Sequence, residues 1–467
     1  MLTIQSKTGS RDCQGNTRRD FLKAGFLGLG GLTLPWLLEQ KAHASESPGF
    51  VRDKAIVLIF CGGGASHIET FNPNMGAPAP FCSVTGEVLT PVPGITLGGT
   101  FPRLAQHARN MAIVKSFRHP IGNHEQAISH VLTGGTDTNG QAILGHSMGA
   151  MYTRLRGTNH PETGMPTYAL LTHPHTDPQY SRELQRVVSG SRGGTLGPTF
   201  NPFNPAGGGT TLENMLLNVP AERLTDRRRL LDELDRIRRG SDSAAARERL
   251  GEYERQAVDL LLGGAGRALD LSREDPRIVQ AYDTSMFMTG KRTFDRSQLG
   301  QQMLLARRLV EAGAGFITVQ SAGWDNHADG NNPGIVDGMN MLGPPLDKAL
   351  SAFLTDLECR GLSDKVLTVV TGDFGRTPTI NRNGGRDHWA SLCTLAFFGG
   401  GLRMGQVIGQ SDRQNRVPAS APIGPGNLLS TIMHTLFDVG QLRVARGVPS
   451  TLSRLIEDHR PIGELLA

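Results

Sequence analysis

Apolar residues along this chain collect in short unbroken runs separated by longer amphipathic stretches. Residues 54–60, Lys-Ala-Ile-Val-Leu-Ile-Phe, are β-branched and apolar and stop before Gly62-Gly63-Gly64. That pattern predicts a strand buried on both faces and followed by a tight turn. Four further runs of the same kind lie at 111–114, 315–320, 366–370 and 392–398. Helical periodicity fills the intervals: a helix is expected over 299–312, ending at Gly313, and another opens at Asn123-His124-Glu125 and leads to Thr133-Gly134. Apolar strands alternating with helices predict an α/β fold, three layers in α/β/α order around a mostly parallel central sheet. In such sheets ligands bind at the carboxyl ends of the strands, so the residues that follow each strand carry the functional information.

The pattern changes in three places. Between 212 and 282 the chain becomes charged and helical; Thr225 is placed to cap a helix over 226–239 with Leu230, Leu234 and Ile237 on one face. Residues 200–295 therefore read as a helical insertion or cap on the sheet. The Pro/Gly-rich stretches at 72–102 and 190–209 read as long surface loops. The first 44 residues read as a targeting segment: Thr17-Arg18-Arg19-Asp20-Phe21-Leu22-Lys23 has the twin-arginine pattern, a Gly-rich apolar stretch too short for a membrane anchor follows, and Ala42-His43-Ala44 offers small residues for cleavage. Export through the twin-arginine translocase, a mature start near Ser45 and a periplasmic or secreted location are the expectation. No second apolar span follows, so no stable membrane span is expected after processing.

Composition adjusts this picture. With 467 residues and 38% apolar content the chain can bury a large core, while only 19% charged residues, 59 glycines and 27 prolines point to many ordered loops on a scaffold. The net charge of +5 shrinks on removal of the presequence, which takes six of the 48 Lys and Arg and three of the 43 Asp and Glu, leaving +2. A nucleic-acid partner is not indicated. Of five cysteines, Cys13 leaves with the presequence, and Cys61, Cys82, Cys359 and Cys393 show no C-x-x-C spacing. Neither a zinc ribbon nor a disulfide scaffold follows from that spacing.

Aspartate and histidine recur at the strand ends. His67 and Glu69 follow the first, His124 follows the second, Asp325 and His327 follow the third, Asp373 follows the fourth, and Asp387-His388 precede the fifth. Hard carboxylates and imidazoles delivered from separate strands to one end of a sheet are what a metal or phosphoryl-transfer site requires. Asp325-x-His327 places two side chains on one face of extended chain, and Asp387 is placed to orient the imidazole of His388 or another histidine, or to cap a turn. Arg376 and Arg386 are the cations available to neutralise ester oxygens. No G-x-x-x-x-G-K-[ST] or G-x-G-x-x-G follows a strand, so a nucleotide site is disfavoured.

Taken together, Gly-Gly-Gly-Ala-Ser-His-Ile-Glu-Thr-Phe-Asn-Pro after the first strand, His-x8-Thr-Gly-Gly, Ser147-Met148-Gly149-Ala150, Gly-Trp-Asp-x-His, Asp-Phe-Gly-Arg-Thr-Pro and Gly-Arg-Asp-His-Trp resemble the DUF1501 family over nearly all of the mature chain. That bacterial family is similar to the alkaline phosphatase and sulfatase superfamily, so the resemblance implies an alkaline-phosphatase-like fold. Carried over by residue, it implies metal ligands at Asp373 and His388, with Asp325-x-His327 resembling an Asp-x3-His pair of the superfamily. Asp373-Phe374-Gly375 keeps the aspartate of an Asp-His-Gly segment and has Phe374 in place of its histidine. Gly62 stands where the superfamily's first strand ends in a ligand aspartate, which leaves His67 or Glu69 to substitute. His124 occupies the position of the Ser or Thr nucleophile.

Two mechanisms remain open on this reading. In one, His124 is nucleophile or ligand and one or two divalent ions, zinc or manganese, activate a phosphate or sulfate ester of a small molecule or polysaccharide, with Arg376 or Arg386 on the ester oxygens. In the other, the fold serves as a non-catalytic periplasmic or surface binding protein. Formylglycine sulfatase chemistry is not expected, because Cys82 lies in Phe-Cys-Ser-Val-Thr and not in C-x-P-x-R.

Overall fold

A computed structural model describes residues 49–140, 145–172, 180–205 and 265–466. The targeting segment expected over 1–44 and the helix expected over 226–239 lie outside the described residues. Strand β1, Ala55–Cys61, is buried at every position, as its unbroken apolar run requires. It is paired in parallel on one side with β4, Phe316–Ser321, and on the other with β5, Val366–Gly372. With β2 (Met111–Val114), β3 (Tyr168–Leu171), β6 (Leu395–Gly399) and β7 (Gln406–Ile408) they form a seven-stranded sheet in the order β7-β2-β6-β5-β1-β4-β3.

Alternate residues of β1 face two separate cores. Ala55, Val57 and Ile59 pack with helices α4 (Leu299–Glu311) and α5 (Ile335–Cys359). Ile56, Leu58 and Phe60 pack with α1 (His124–Leu132), α2 (Met148–Arg156) and α6 (Pro425–Leu436). These are the three layers expected, and the sheet is mostly parallel. Only β6 runs against its neighbours, β5 and β2. The connection from β5 to β6 carries a two-residue antiparallel pair, Gly375–Arg376 with His388–Trp389, instead of a crossover helix, so the chain returns in the opposite direction. The expected strand at 392–398 accordingly starts later, at Leu395.

Other differences follow from length and context. Strand β3, Tyr-Ala-Leu-Leu, lacks the β-branched residues that mark β2, and β7 has three residues, too few to carry a period. The stretch 72–102, expected as surface loop, contains the antiparallel pair Glu87–Leu89 with Thr96–Gly98 and buries Ile95, Leu97 and Phe101 in the main core. Within 200–295, the described part includes a helix at Pro276–Tyr282 whose Tyr282 is buried against the α4 and α5 layer, and a short pair, Met288–Thr289 with Asp295–Arg296. Among the described residues no helix is long and apolar enough to cross a membrane.

Candidate metal centre

The carboxyl ends of β1, β4 and β5 converge on Asp325. Asp373, fully buried, is the first residue after β5, and the backbone amide of Gly63 in the turn after β1 donates to its carboxylate at 3.2 and 3.3 Å. Gly63 and Gly64 have φ of +94° and +84°, which lets that turn fold back over Asp373. His124 is the first residue of α1, started by Asn123, whose side chain accepts from the Gln126 amide at 3.0 Å. This cap fixes the imidazole over the sheet, with Nδ1 2.6 Å from Asp373 Oδ2 and Nε2 3.3 Å from Asp325 Oδ2. The second contact is too poorly aligned for a hydrogen bond, so Nε2 is buried with an ionic contact to Asp325 and no aligned hydrogen bond.

His388 is oriented in the same way. Its Nδ1 donates to the Gly122 carbonyl at 3.1 Å, since a carbonyl can only accept, and its Nε2 lies 3.3 Å from Asp325 Oδ1. Both imidazoles thus have Nδ1 committed to an acceptor behind them, which leaves the Nε2 lone pairs turned toward Asp325 whenever the rings are neutral. One ligand atom from each of His124, Asp325 and His388 lies within 4.8 Å of the others. His327 stands beside them, Nε2 3.1 Å from Asp325 Oδ2 and 3.2 Å from Asn332 Nδ2. Phe374 closes one flank, its ring 4.8 Å from that of His124 and 4.6 Å from that of His388.

The charges are arranged to keep Asp325 ionised. Burial opposes its charge, but the Arg376 guanidinium at 2.6 Å and contacts from His124, His327 and His388 outweigh that and hold the carboxyl far below the usual range. The protein's own charges favour the His124 imidazolium: burial opposes this too, yet the Asp325 and Asp373 carboxylates on either side raise it to about 9.

Of the residues singled out in the sequence, His124, Asp325, His327, Asp373 and His388 come together, and Arg376 joins them from beneath. Arg376 is fully buried and donates to the carbonyls of Gly63, Gly64, Trp324 and Arg386 as well as to Asp325, so it braces the turns and does not face an ester. Glu69 and Arg386 are placed elsewhere: both are fully buried and form an ion pair at 2.9 Å, and Arg386 also donates to the carbonyls of Thr377, Pro378, Pro80 and Cys82. His67 is buried apart, Nε2 donating to the Asn415 carbonyl at 3.3 Å. Asp387 is exposed and accepts from Asn381 Nδ2 at 2.9 Å, a turn contact that leaves His388 to be oriented by Gly122. One member had no signal in the sequence: the Gly122 carbonyl, which acts through backbone.

Fold and site define an α/β/α protein with a candidate metal centre at the carboxyl ends of its parallel strands. The chain belongs to the DUF1501 family, described as a protein of unknown function, whose family pattern matches residues 53–463. No curated protein matches the sequence. Solved structures similar to it include a sulfatase from Pseudoalteromonas sp. (10% identity, TM-score 0.36, covering 85% of this chain and 69% of that one). A phosphonate monoester hydrolase from Silicibacter pomeroyi is similar at 11% identity and a TM-score of 0.35, over 87% of this chain and 75% of its own. An alkaline phosphatase from the Antarctic bacterium TAB5 is similar at 12% identity and a TM-score of 0.32, over 78% and 95%.

Proposed function

We propose that the mature chain, from about Ser45 onward, is an exported metal-dependent hydrolase of phosphate or sulfate esters, with His124, Asp325 and His388 holding a divalent cation. The observation that carries this reading is the convergence of one donor atom each from His124, Asp325 and His388 within 4.8 Å of one another, the His124 Nε2 being buried without an aligned hydrogen bond. Two imidazole nitrogens converging on a carboxylate forced to stay ionised are a donor set that fits a cation. A divalent ion such as zinc or manganese bound there supplies Lewis acidity toward an ester oxygen.

The chain's own residues do the positioning. Asp373 holds the Nδ1 proton of His124, Gly122 holds that of His388, and Arg376 fixes Asp325 from below, so the donor set is oriented before any ligand arrives. His124, placed by sequence where a nucleophile would stand, serves on this reading as a ligand. Small-molecule or polysaccharide esters are the substrate class, the twin-arginine translocase is the partner in export, the destination is the periplasm or the medium, and residues 200–295 form a cap.

One observation favours a second reading, a non-catalytic binding protein on the same fold: both arginines considered for the ester oxygens are spent inside the protein. Metal analysis of the purified mature protein, with assays on aryl phosphate, phosphodiester and sulfate esters, separates the two. The hydrolase reading expects bound metal and ester cleavage, both lost in His388→Ala and Asp373→Ala. Bound metal without cleavage of any of these esters supports the binding protein. A protein that is isolated metal-free and takes up no divalent ion refutes the cation site altogether.

A further inference from the structure

Glu183 is the unexplained group next to this centre. It lies in the first turn of α3, Ser181–Gly190, is only 8% exposed, and has no ion pair among the described residues. Its Oε1 is buried without a hydrogen-bond partner. A carboxyl retained in such a place costs several kcal/mol if it is charged and unpaired, and a glutamine or leucine would fill the space at less cost. The orphaned oxygen therefore calls for a ligand.

Its placement says which one. A Cβ at Gly62 would stand 2.3 Å from Glu183 Oε1 and 2.9 Å from its Cδ, so the carboxyl occupies the space that a side chain at position 62 would fill. Gly62 has no left-handed backbone to explain its glycine; the room it leaves for Glu183 does. The Gly323 amide lies close enough to the same carboxyl to favour its ionised form. Glu183 is thus held between the two turns that build the centre. Gly62 is followed by Gly63, which binds Asp373, and Gly323 precedes Asp325 by two residues.

We infer that Glu183 belongs to the cation site as an outer carboxylate, delivered by helix α3 through the space left at Gly62 to balance the charge of a divalent ion held by His124, Asp325 and His388. The inference rests on reading those three residues as a cation site. Its electrostatic surroundings agree with it: burial, and then the Asp373 carboxylate, push the carboxyl up to about 8, so a nearby cation would favour its ionised form.

The test is Mn²⁺ affinity, measured by titration calorimetry on chelator-treated mature protein. Glu183→Gln preserves shape and hydrogen bonding, so it should fold, melt at or above the wild-type temperature without metal, and bind Mn²⁺ at least tenfold more weakly. Gly62→Ala should weaken Mn²⁺ binding in the same way by displacing the carboxyl, and it carries the test if the glutamine variant does not fold. A loss smaller than tenfold in folded Glu183→Gln overturns the inference while leaving the three-residue site intact. Wild-type protein that binds no Mn²⁺ overturns the cation site itself, which is a different result.

Discussion

At the residue scale, the chemistry legible in the sequence was residue type and place, and partners were not legible. Asp325, Asp373, His124 and His388 were found because ligands emerge at strand ends, where position is readable from an apolar run. Glu69 and Arg386 satisfied the same criteria, yet they are buried against each other. Nothing in a sequence distinguishes a carboxylate that holds a ligand from one that holds an arginine 317 positions later. A prediction follows from their burial. Arg386→Met leaves the buried Glu69 charge without a cation, held only by the Ser66 hydroxyl and the Val84 amide, and should cost about 3–5 kcal/mol, because the desolvation of the surviving charge is only partly offset. Urea unfolding of wild type and variant measures it. A loss below about 1 kcal/mol would mean that the Ser66 and Val84 donors, with water, suffice to hold the Glu69 charge.

At the element scale, long buried strands were legible and their directions were only partly so. The runs starting at 54, 111, 315 and 366 became β1, β2, β4 and β5 with ends shifted by two residues or fewer. The reversal of β6 was hidden because apolar runs carry no direction; it depends on the missing crossover helix. The turn after β1 is the element on which the centre depends most. Gly64 combines a φ of +84° with close packing: an added Cβ would lie 2.8 Å from Phe374 Cδ2. Gly64→Ala should therefore cost about 1–3 kcal/mol in backbone strain alone. It should also weaken cation uptake, because the displaced Phe374 ring packs on His124 and His388. Gly86, at φ +76° with open space around it, is the control. Gly86→Ala carries comparable strain without the clash, and should lower stability while leaving metal affinity unchanged. Equal metal affinity in both variants would show that Phe374 does not position the imidazoles.

At the scale of the whole molecule, the α/β/α layering was legible because strand and helix periods alternate, while the buried histidines were not separable from site histidines by type. His67 and His119 show what the remaining imidazoles do for stability. His119 is 3% exposed and neutral by construction: Nε2 donates to the Asp373 carbonyl at 2.6 Å and Nδ1 accepts from the Ile121 amide at 3.3 Å. Protonating Nδ1 would break the second bond and place a charge beside His130. His67 is 4% exposed, and its Nδ1 has no acceptor to receive a proton. Burial, joined at His119 by repulsion from His130, lowers both to about 4 from an ordinary 6.5. The unfolded chain therefore holds more protons than the folded one between those values. Their stabilisation is complete above pH 6.5 and falls away as pH drops toward 4, by roughly 3 kcal/mol for each residue. Glu183, raised to about 8, pulls the other way over part of that window, since its folded form holds the extra proton and loses stability as pH rises. The total curve is for that reason not diagnostic, and the difference between proteins is. Between pH 7 and 4.5 the urea midpoint of wild type should fall relative to that of the His67→Asn/His119→Asn double variant, which is less stable at pH 7 but lacks the acid-labile groups. Parallel curves for the two proteins over that range would mean that neither histidine is held neutral in the fold.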